Sequence, residues 1–198
     1  GIFTGMGVAS KWTAAYGAVG LAVLFFGKLY FTFQEARVSG QKLSPVLQKF
    51  GKLCLWCCLF FIILPFGIYF AAFLPITTLP HNVGNLWGAF WNYQTTMFNY
   101  HAFLEATHSF ASPWYEWPLD IRPIWYFAED TQEGYSTISA FGNPLLWAAG
   151  LPALFGSVWL WWKEHRQWAG VVLCGFGSVY LPWLLVPRLT FIYHYFTA

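Results

Sequence analysis

Hydrophobic residues along this chain form four long blocks, which are separated by two short polar links and one long polar loop. The blocks cover residues 13–33, 53–76, 141–162 and 168–187. A transmembrane helix needs about 20 consecutive, mainly apolar residues, so each block is long enough to cross a bilayer. The pattern therefore predicts four transmembrane helices, and the apolar stretch at residues 1–10 is expected to be the end of an earlier, truncated helix.

Composition strengthens this interpretation. Hydrophobic residues make up 58% of the 198 residues and charged residues only 9%, whereas soluble domains carry about 25% charge. So few charges cannot cover a water-facing surface, and we expect an all-α integral membrane protein in contact with membrane lipid. The net charge of +2 gives no reason to expect a nucleic-acid partner.

The distribution of charge predicts the orientation of the chain. The links at residues 34–52 and 163–166 are basic, and short basic links stay in the cytoplasm. The long loop is acidic, with Arg122 as its only Lys or Arg residue, and is expected to be extracytoplasmic. Three parts follow: residues 1–80 with the truncated helix, two spans and the first basic link; residues 81–140 as the outer loop; and residues 141–198 with two spans and an outer-face end.

Two basic residues are left at the predicted outer edge of the membrane. Lys11 precedes the first span, and Arg188 follows the last. Long basic side chains at such an edge extend to lipid headgroups, but a phosphate at that depth also needs charge-assisted donors. Both interpretations remain open at this point.

The start of the outer loop has helical periodicity. Apolar residues recur at three- and four-residue steps over residues 85–110, which predicts an amphipathic helix lying at the outer interface. His101, Glu105 and His108 would share one face of this helix, where they would either bind a metal ion or form a hydrogen-bonded polar face. No fourth ligand is evident, and no metal is assigned.

Aromatic residues cluster around prolines later in the same loop, and the cluster consists of Trp114, Tyr115, Trp117, Trp125 and Tyr126. One interpretation is an aromatic belt at the level of the lipid headgroups. The other is a sugar platform, on which the apolar face of a hexose packs while Glu116 and Asp120 bind its hydroxyl groups.

Several segments of this chain, in this order, resemble the protein O-mannosyltransferase family. They are GMGVASKWT at 5–13, QTTM at 94–97 with Tyr100, His101 and His108, the run from Ser112 to Pro123, GNP at 142–144 with Trp147, and RLTFIYHY at 188–195. The resemblance covers nearly the whole chain. It implies a multi-span helical bundle of the GT-C type, with an interfacial helix and loop at its outer face.

The resemblance also implies an activity. In the family, mannose passes with inversion from a polyprenyl-phosphate carrier to Ser or Thr of a translocating polypeptide. The outer loop is too short for the lumenal β-trefoil domain of the eukaryotic enzymes, so a bacterial cell membrane with an extracytoplasmic active face is expected. The family's Asp-Glu pair has no counterpart here, so the general base is expected upstream and the fragment alone is expected to be inactive. The lipid-linked mannose is a substrate, and no cofactor is assigned.

The roles that the resemblance implies fall on eight residues. Phosphate contact falls to Arg188, with Lys11 or Arg122 assisting; the sugar or acceptor cleft falls to Glu116, Trp117 and His108; and Tyr193 and His194 either shape the site or only pack. Two other functions remain open: another GT-C enzyme with a lipid acceptor, such as an aminoarabinose transferase, or a non-catalytic membrane subunit. Transport is disfavoured because the spans contain almost no ionisable residues in their interiors.

Overall fold

The computed structural model describes residues 1–80, 85–104, 106–132 and 134–197. The chain divides into two compact units, Gly1–Met97 and Phe98–Ala198. Glu105, one of the residues considered as a metal ligand, lies outside the described residues.

The first unit consists of helices. They are α1 (Ile2–Ser10), α2 (Ala14–Val38), α3 (Leu43–Cys58), a π-helical turn (Leu59–Ile63), α4 (Leu64–Ala71), a 3-10 helix (Leu74–Thr78) and most of α5 (Leu86–Phe103). Helix α1 packs closely on α4, because a Cβ atom at Gly5 would lie 2.9 Å from both the Cα atom of Pro65 and the Cβ atom of Ile68. Helix α5 packs on α4 through Phe90, which is only 2% exposed.

The second unit combines two helices with a hairpin and several short helical turns. Its elements are a 3-10 helix (Trp114–Leu119), β1 (Ile124–Thr131), β2 (Gly134–Ala140), α6 (Pro144–Lys163), α7 (Gln167–Tyr180), and two further 3-10 helices (Leu181–Leu185 and Ile192–Thr197). Helix α6 begins as its sequence indicates: Pro144 occupies the first turn, and Oδ1 of Asn143 accepts the N–H groups of Leu145 and Leu146 at 3.1 and 3.2 Å.

Four of the described helical segments are long and apolar enough to cross a membrane, namely Ala14–Val38, Leu43–Thr78, Pro144–Lys163 and Gln167–Leu185. Most of their large apolar side chains are exposed to the surroundings rather than buried within the protein. An apolar helical surface of this kind is what a segment needs in order to lie in the hydrocarbon of a membrane. The prediction of a helical integral membrane protein with four spans is confirmed.

The first basic link is much shorter than the hydropathy pattern suggests. Helix α2 continues to Val38 and α3 begins at Leu43. Gly40, at φ 68°, ends α2: its N–H group bonds the carbonyl of Arg37, and the N–H group of Gln41 bonds that of Ala36, a common C-terminal helix cap. Hydropathy marks only the part of a helix that lies in hydrocarbon, so the polar ends of these helices were missed.

The segment between the second and third spans differs more from the prediction. Helix α5 ends at Phe103 rather than near residue 110, and residues 124–140 form an antiparallel hairpin that was not predicted. The β-branched and aromatic residues of these two stretches favour strands. Gly134 adopts φ 143° beside the turn, a conformation that a residue with a side chain rarely adopts. The hairpin is an addition to an otherwise helical fold.

Candidate functional site

The site of the second unit is built where two of the family-like segments meet. The N–H group of Ser112 donates to the carbonyl of Thr190 at 2.9 Å, and Oγ1 of Thr190 donates to the carbonyl of Ser112 at 2.9 Å. Both residues are buried. This reciprocal pair fixes the segment that begins at Arg188 against the segment that runs from Ser112 to Pro123.

Trp117 is the centre of the packed core beneath this junction. Its side chain is 0% exposed, and its Nε1–H group donates to the carbonyl and to the hydroxyl of Ser112 at 3.1 and 3.0 Å. The ring of His194 stacks on that of Trp183, with 4.0 Å between centroids, and lies 6.0 Å from that of Trp117. In the structure the indole of Trp117 is packed in the core, and its role in a sugar or acceptor cleft remains a prediction. His194, only 4% exposed, packs in the same core.

Each carboxylate of the proposed sugar platform lies beside a protein group, although Oε2 of Glu116 has no hydrogen-bond partner among the described residues. Oε2 of Glu116 is buried and lies 3.6 Å from Nε of Arg122, whose Nη1 donates to the carbonyl of Ala111 at 2.8 Å. Asp120 ends the 3-10 helix in the left-handed region at φ 51°, and its Oδ1 accepts the N–H group of Gly142 at 3.2 Å. These contacts stabilise the loop. The ligand-binding roles of Glu116 and Arg122 remain predictions.

A row of three rings lies beside Arg188, and we call Phe191, Tyr193 and Tyr126 the aromatic row. The rings of Phe191 and Tyr193 stack with 5.5 Å between centroids, and those of Tyr193 and Tyr126 stack with 6.3 Å. Tyr193 is half-buried, whereas Tyr126 is 57% exposed. The row therefore runs from two half-buried rings to an exposed one.

Electrostatics place the charge of Arg188 next to this row. Burial raises the pKa of Tyr193, and the neighbouring Tyr126 and Tyr100 raise it further, while the positive charge of Arg188 lowers it. Burial dominates, so the pKa stays above its ordinary value and the phenol remains protonated at neutral pH. Tyr193 can donate and accept hydrogen bonds there without placing a negative charge beside the guanidinium group.

His108 lies at the far end of the aromatic row and not on helix α5. Its ring meets that of Phe191 edge-on, with 5.1 Å between centroids, and its Nδ1 accepts the N–H group of Phe110 at 3.2 Å. The expectation that it shares a helix face with His101 is wrong, because a turn and the contact with Phe191 replace the last helical turns. Among the described residues, no group of three His, Cys, Asp or Glu side chains is placed to bind a metal ion.

The structure thus brings together some of the predicted site residues and separates others. Tyr193 is part of the aromatic row, Arg188 lies beside it and His108 lies at one end, whereas Trp117 and His194 belong to the core. Lys11 is exposed between α1 and α2 in the first unit, and its phosphate role remains a prediction. The sequence includes Tyr126 among the rings of the predicted belt or sugar platform, but only the strand pairing distinguishes it from its aromatic neighbours.

Comparison with known proteins gives the family. A model described as the C-terminal four TMM region of protein-O-mannosyltransferase matches residues 86–198. Polyprenol-phosphate-mannose–protein mannosyltransferase of Mycobacterium tuberculosis is 28% identical over 217 residues, covering 92% of this chain and 40% of that protein. The protein of the same name from Mycolicibacterium smegmatis is 24% identical over 226 residues, with the same coverage.

The chain therefore spans 40% of the length of these curated relatives. No solved structure matches. The family match extends over α5, the loop, the hairpin and the last two spans, which together make up more than half of the chain. The resemblance noted in the sequence is confirmed: the chain belongs to the protein O-mannosyltransferase family.

Proposed function

We propose that the complete protein transfers mannose from a polyprenyl-phosphate carrier to Ser or Thr hydroxyl groups of exported proteins, with inversion, at the extracytoplasmic face of the membrane. The relatives from both mycobacterial species carry names that state a polyprenol-phosphate-mannose donor and a protein acceptor. No metal or other cofactor is part of the proposal.

The position of Arg188 is the observation that carries this proposal. The residue follows the last apolar helix, which ends at Leu185, and it is partly buried. Its backbone is fixed nearby by the hydrogen bonds between Ser112 and Thr190. A guanidinium group held at the end of a membrane-spanning segment suits the phosphate of a carrier whose isoprenoid tail lies in hydrocarbon.

The chemistry of the transfer explains why such a group is needed. Negative charge collects on the carrier phosphate as its bond to C1 of the sugar breaks, and a fixed cation stabilises that charge. The acceptor hydroxyl attacks C1 from the opposite side, because the configuration inverts. A carboxylate must accept its proton there, and we expect that carboxylate in a part of the protein upstream of this chain.

Charge distribution supports the orientation in this proposal. The hairpin carries the exposed acids Glu129 and Asp130 near its tip, whereas Lys163 ends α6 and Arg166 lies in the turn before α7. Basic turns are retained in the cytoplasm. This supports an extracytoplasmic position for the hairpin and the aromatic row in the proposal.

A charge substitution in the full-length protein tests the proposal. Arg188→Ala should reduce kcat/KM for the lipid-linked mannose donor by about 10- to 100-fold. The reason is that a charge-assisted hydrogen bond contributes roughly 1.5–3 kcal/mol. Arg188→Lys should recover part of the loss. Arg166→Ala is the matched control: this arginine is exposed in the other turn, paired with Glu164 at 3.1 Å, and its loss should leave turnover unchanged.

Unchanged donor kinetics in Arg188→Ala would overturn the phosphate role. The choice of acceptor separates the proposal from its main alternative. Transfer to a Ser/Thr peptide supports a protein mannosyltransferase, whereas transfer only to a lipid acceptor would indicate an enzyme of the aminoarabinose-transferase type. Absence of transfer to either acceptor by the full-length protein would indicate a non-catalytic subunit.

A further inference from the structure

The hairpin contains one irregularity, and it falls at Tyr126. Trp125 pairs with Ser139, and Phe127 pairs with Ile138, so two consecutive residues of β2 face residues of β1 that are two apart. Tyr126 is the extra residue of a β-bulge. Bulges redirect a side chain out of the regular strand alternation, and they are common beside active sites.

At the bulge, the ring of Tyr126 is in contact with a neighbouring ring and is also exposed. Its ring stacks on that of Tyr193, with an interplanar angle of 30° and 6.3 Å between centroids, yet the residue is 57% exposed. Part of the ring is therefore supported from the protein side while the remainder faces the surroundings. The exposed acids Glu129 and Asp130 lie farther along the same strand, away from this support.

An exposed ring that is supported from behind is suited to a sugar. The C–H groups of one hexose face pack against an aromatic ring, and the ring loses little conformational freedom because a neighbour already holds it. Arg188 lies close enough to Tyr193 for its charge to act on that phenol. A ligand that joins a hexose to a phosphate would match the order of these groups.

We propose that Tyr126 is the residue on which the mannose of the lipid-linked donor stacks, and that the β-bulge holds it in position. This inference rests on the proposed function and deepens it, because it assigns the sugar and the phosphate to different residues of one site. Tyr126 binds the hexose, Tyr193 supports the ring of Tyr126, and Arg188 binds the phosphate.

Binding of two carriers to the full-length protein tests the assignment. The first is polyprenyl-phosphate-mannose, and the second is the same polyprenyl phosphate without sugar. Tyr126→Ala and Tyr126→Leu should weaken binding of the mannosylated carrier by about 10-fold and leave binding of the sugar-free carrier unchanged. Tyr126→Phe should stay close to the wild type, because it keeps the ring.

The hairpin itself provides the matched control. Tyr135, which is 62% exposed, occupies a regular ladder position opposite Asp130. Tyr135→Ala should leave binding of both carriers unchanged. Tyr126→Leu retains apolar bulk at the bulge, so it keeps the test valid if Tyr126→Ala alone disturbs the hairpin.

Equal weakening for both carriers, no weakening for either, or a change confined to the KM of the acceptor peptide would each overturn the assignment. The proposed function fails in a different way. Wild-type protein that neither binds the mannosylated carrier nor transfers mannose would overturn the proposed function, whereas an active wild type with fully active Tyr126→Ala would overturn only the role of Tyr126.

Discussion

Trp147 explains why glycine stands at position 142. A Cβ atom added there would overlap the indole ring of Trp147. That ring also packs edge-on against Tyr195, with 4.9 Å between centroids. The GNP segment and Trp147 thus pack as one unit. Asn143 caps α6, and Gly142 leaves space for the indole of Trp147, which contacts Tyr195.

A single methyl group should therefore destabilise this unit. Gly142→Ala is expected to lower the free energy of unfolding by about 1–3 kcal/mol, the usual cost of overpacking a well-filled contact. Thermal unfolding of the detergent-solubilised protein, followed by tryptophan fluorescence, measures the change. Gly150→Ala is the control: nothing lies within 4 Å of a Cβ atom at Gly150, in the middle of α6, so this variant should be as stable as the wild type or more so. Equal stability of both variants would contradict the packing role.

Residue types alone could not distinguish the buried rings of the aromatic cluster from the exposed ones. Trp117 and Tyr126 belong to the same aromatic cluster in the sequence, yet one is completely buried and the other more than half exposed. The difference depends on the partners: the hydroxyl and carbonyl of Ser112 hold Trp117 inside, whereas Tyr126 lies at a β-bulge of an exposed strand and stacks on Tyr193. Both are long-range or register effects, which a single sequence does not display.

At the scale of elements, a polar connection joins three parts of the first unit. Nε1–H of Trp12 donates to the hydroxyl of Tyr69 at 2.8 Å, and that hydroxyl donates to Oε1 of Gln94 at 2.6 Å. Trp12 lies in the turn before α2, Tyr69 on α4 and Gln94 on α5. Two of the family-like segments, the one with Lys11 and Trp12 and the one that begins at Gln94, are thus joined through one tyrosine.

Tyr69→Phe tests this connection. Loss of the hydroxyl removes both hydrogen bonds and leaves Oε1 of Gln94 without this donor, at an expected cost of about 1–3 kcal/mol of stability. The same unfolding measurement applies. Tyr30→Phe, on the exposed surface of α2 (58% exposed), should have no effect. If the two variants unfold alike, the connection contributes nothing to the packing of α5.

Long apolar elements were predictable, and the short outer ones were not. Each predicted span overlaps a helix of sufficient length and apolarity, because the requirement for about 20 apolar residues is a property of the sequence itself. The hairpin has no such requirement. Its strands, including Trp125 and Tyr126, fit an interfacial aromatic belt equally well by composition, and only pairing across Gly134 distinguishes the two.

At the scale of the whole molecule, apolar, basic and acidic residues occupy different parts of the chain. The membrane-spanning segments are apolar, the basic residues gather around residues 37–52 and 163–166, and the acids gather between residues 116 and 133. This separation underlies both the orientation that we propose and the assignment of the aromatic row to the extracytoplasmic side. In our proposal, the partly buried Arg188 lies on that side and binds the phosphate of the lipid-linked sugar.

Transfer of labelled mannose from polyprenyl-phosphate-mannose to a Ser/Thr peptide, by the full-length protein in liposomes, tests the central claim most directly. We expect label in the peptide, attached in the α configuration if the donor is β-linked, and no label in a peptide with Ala in place of Ser and Thr. Label that appears only in lipid, or that never leaves the carrier, would contradict the account.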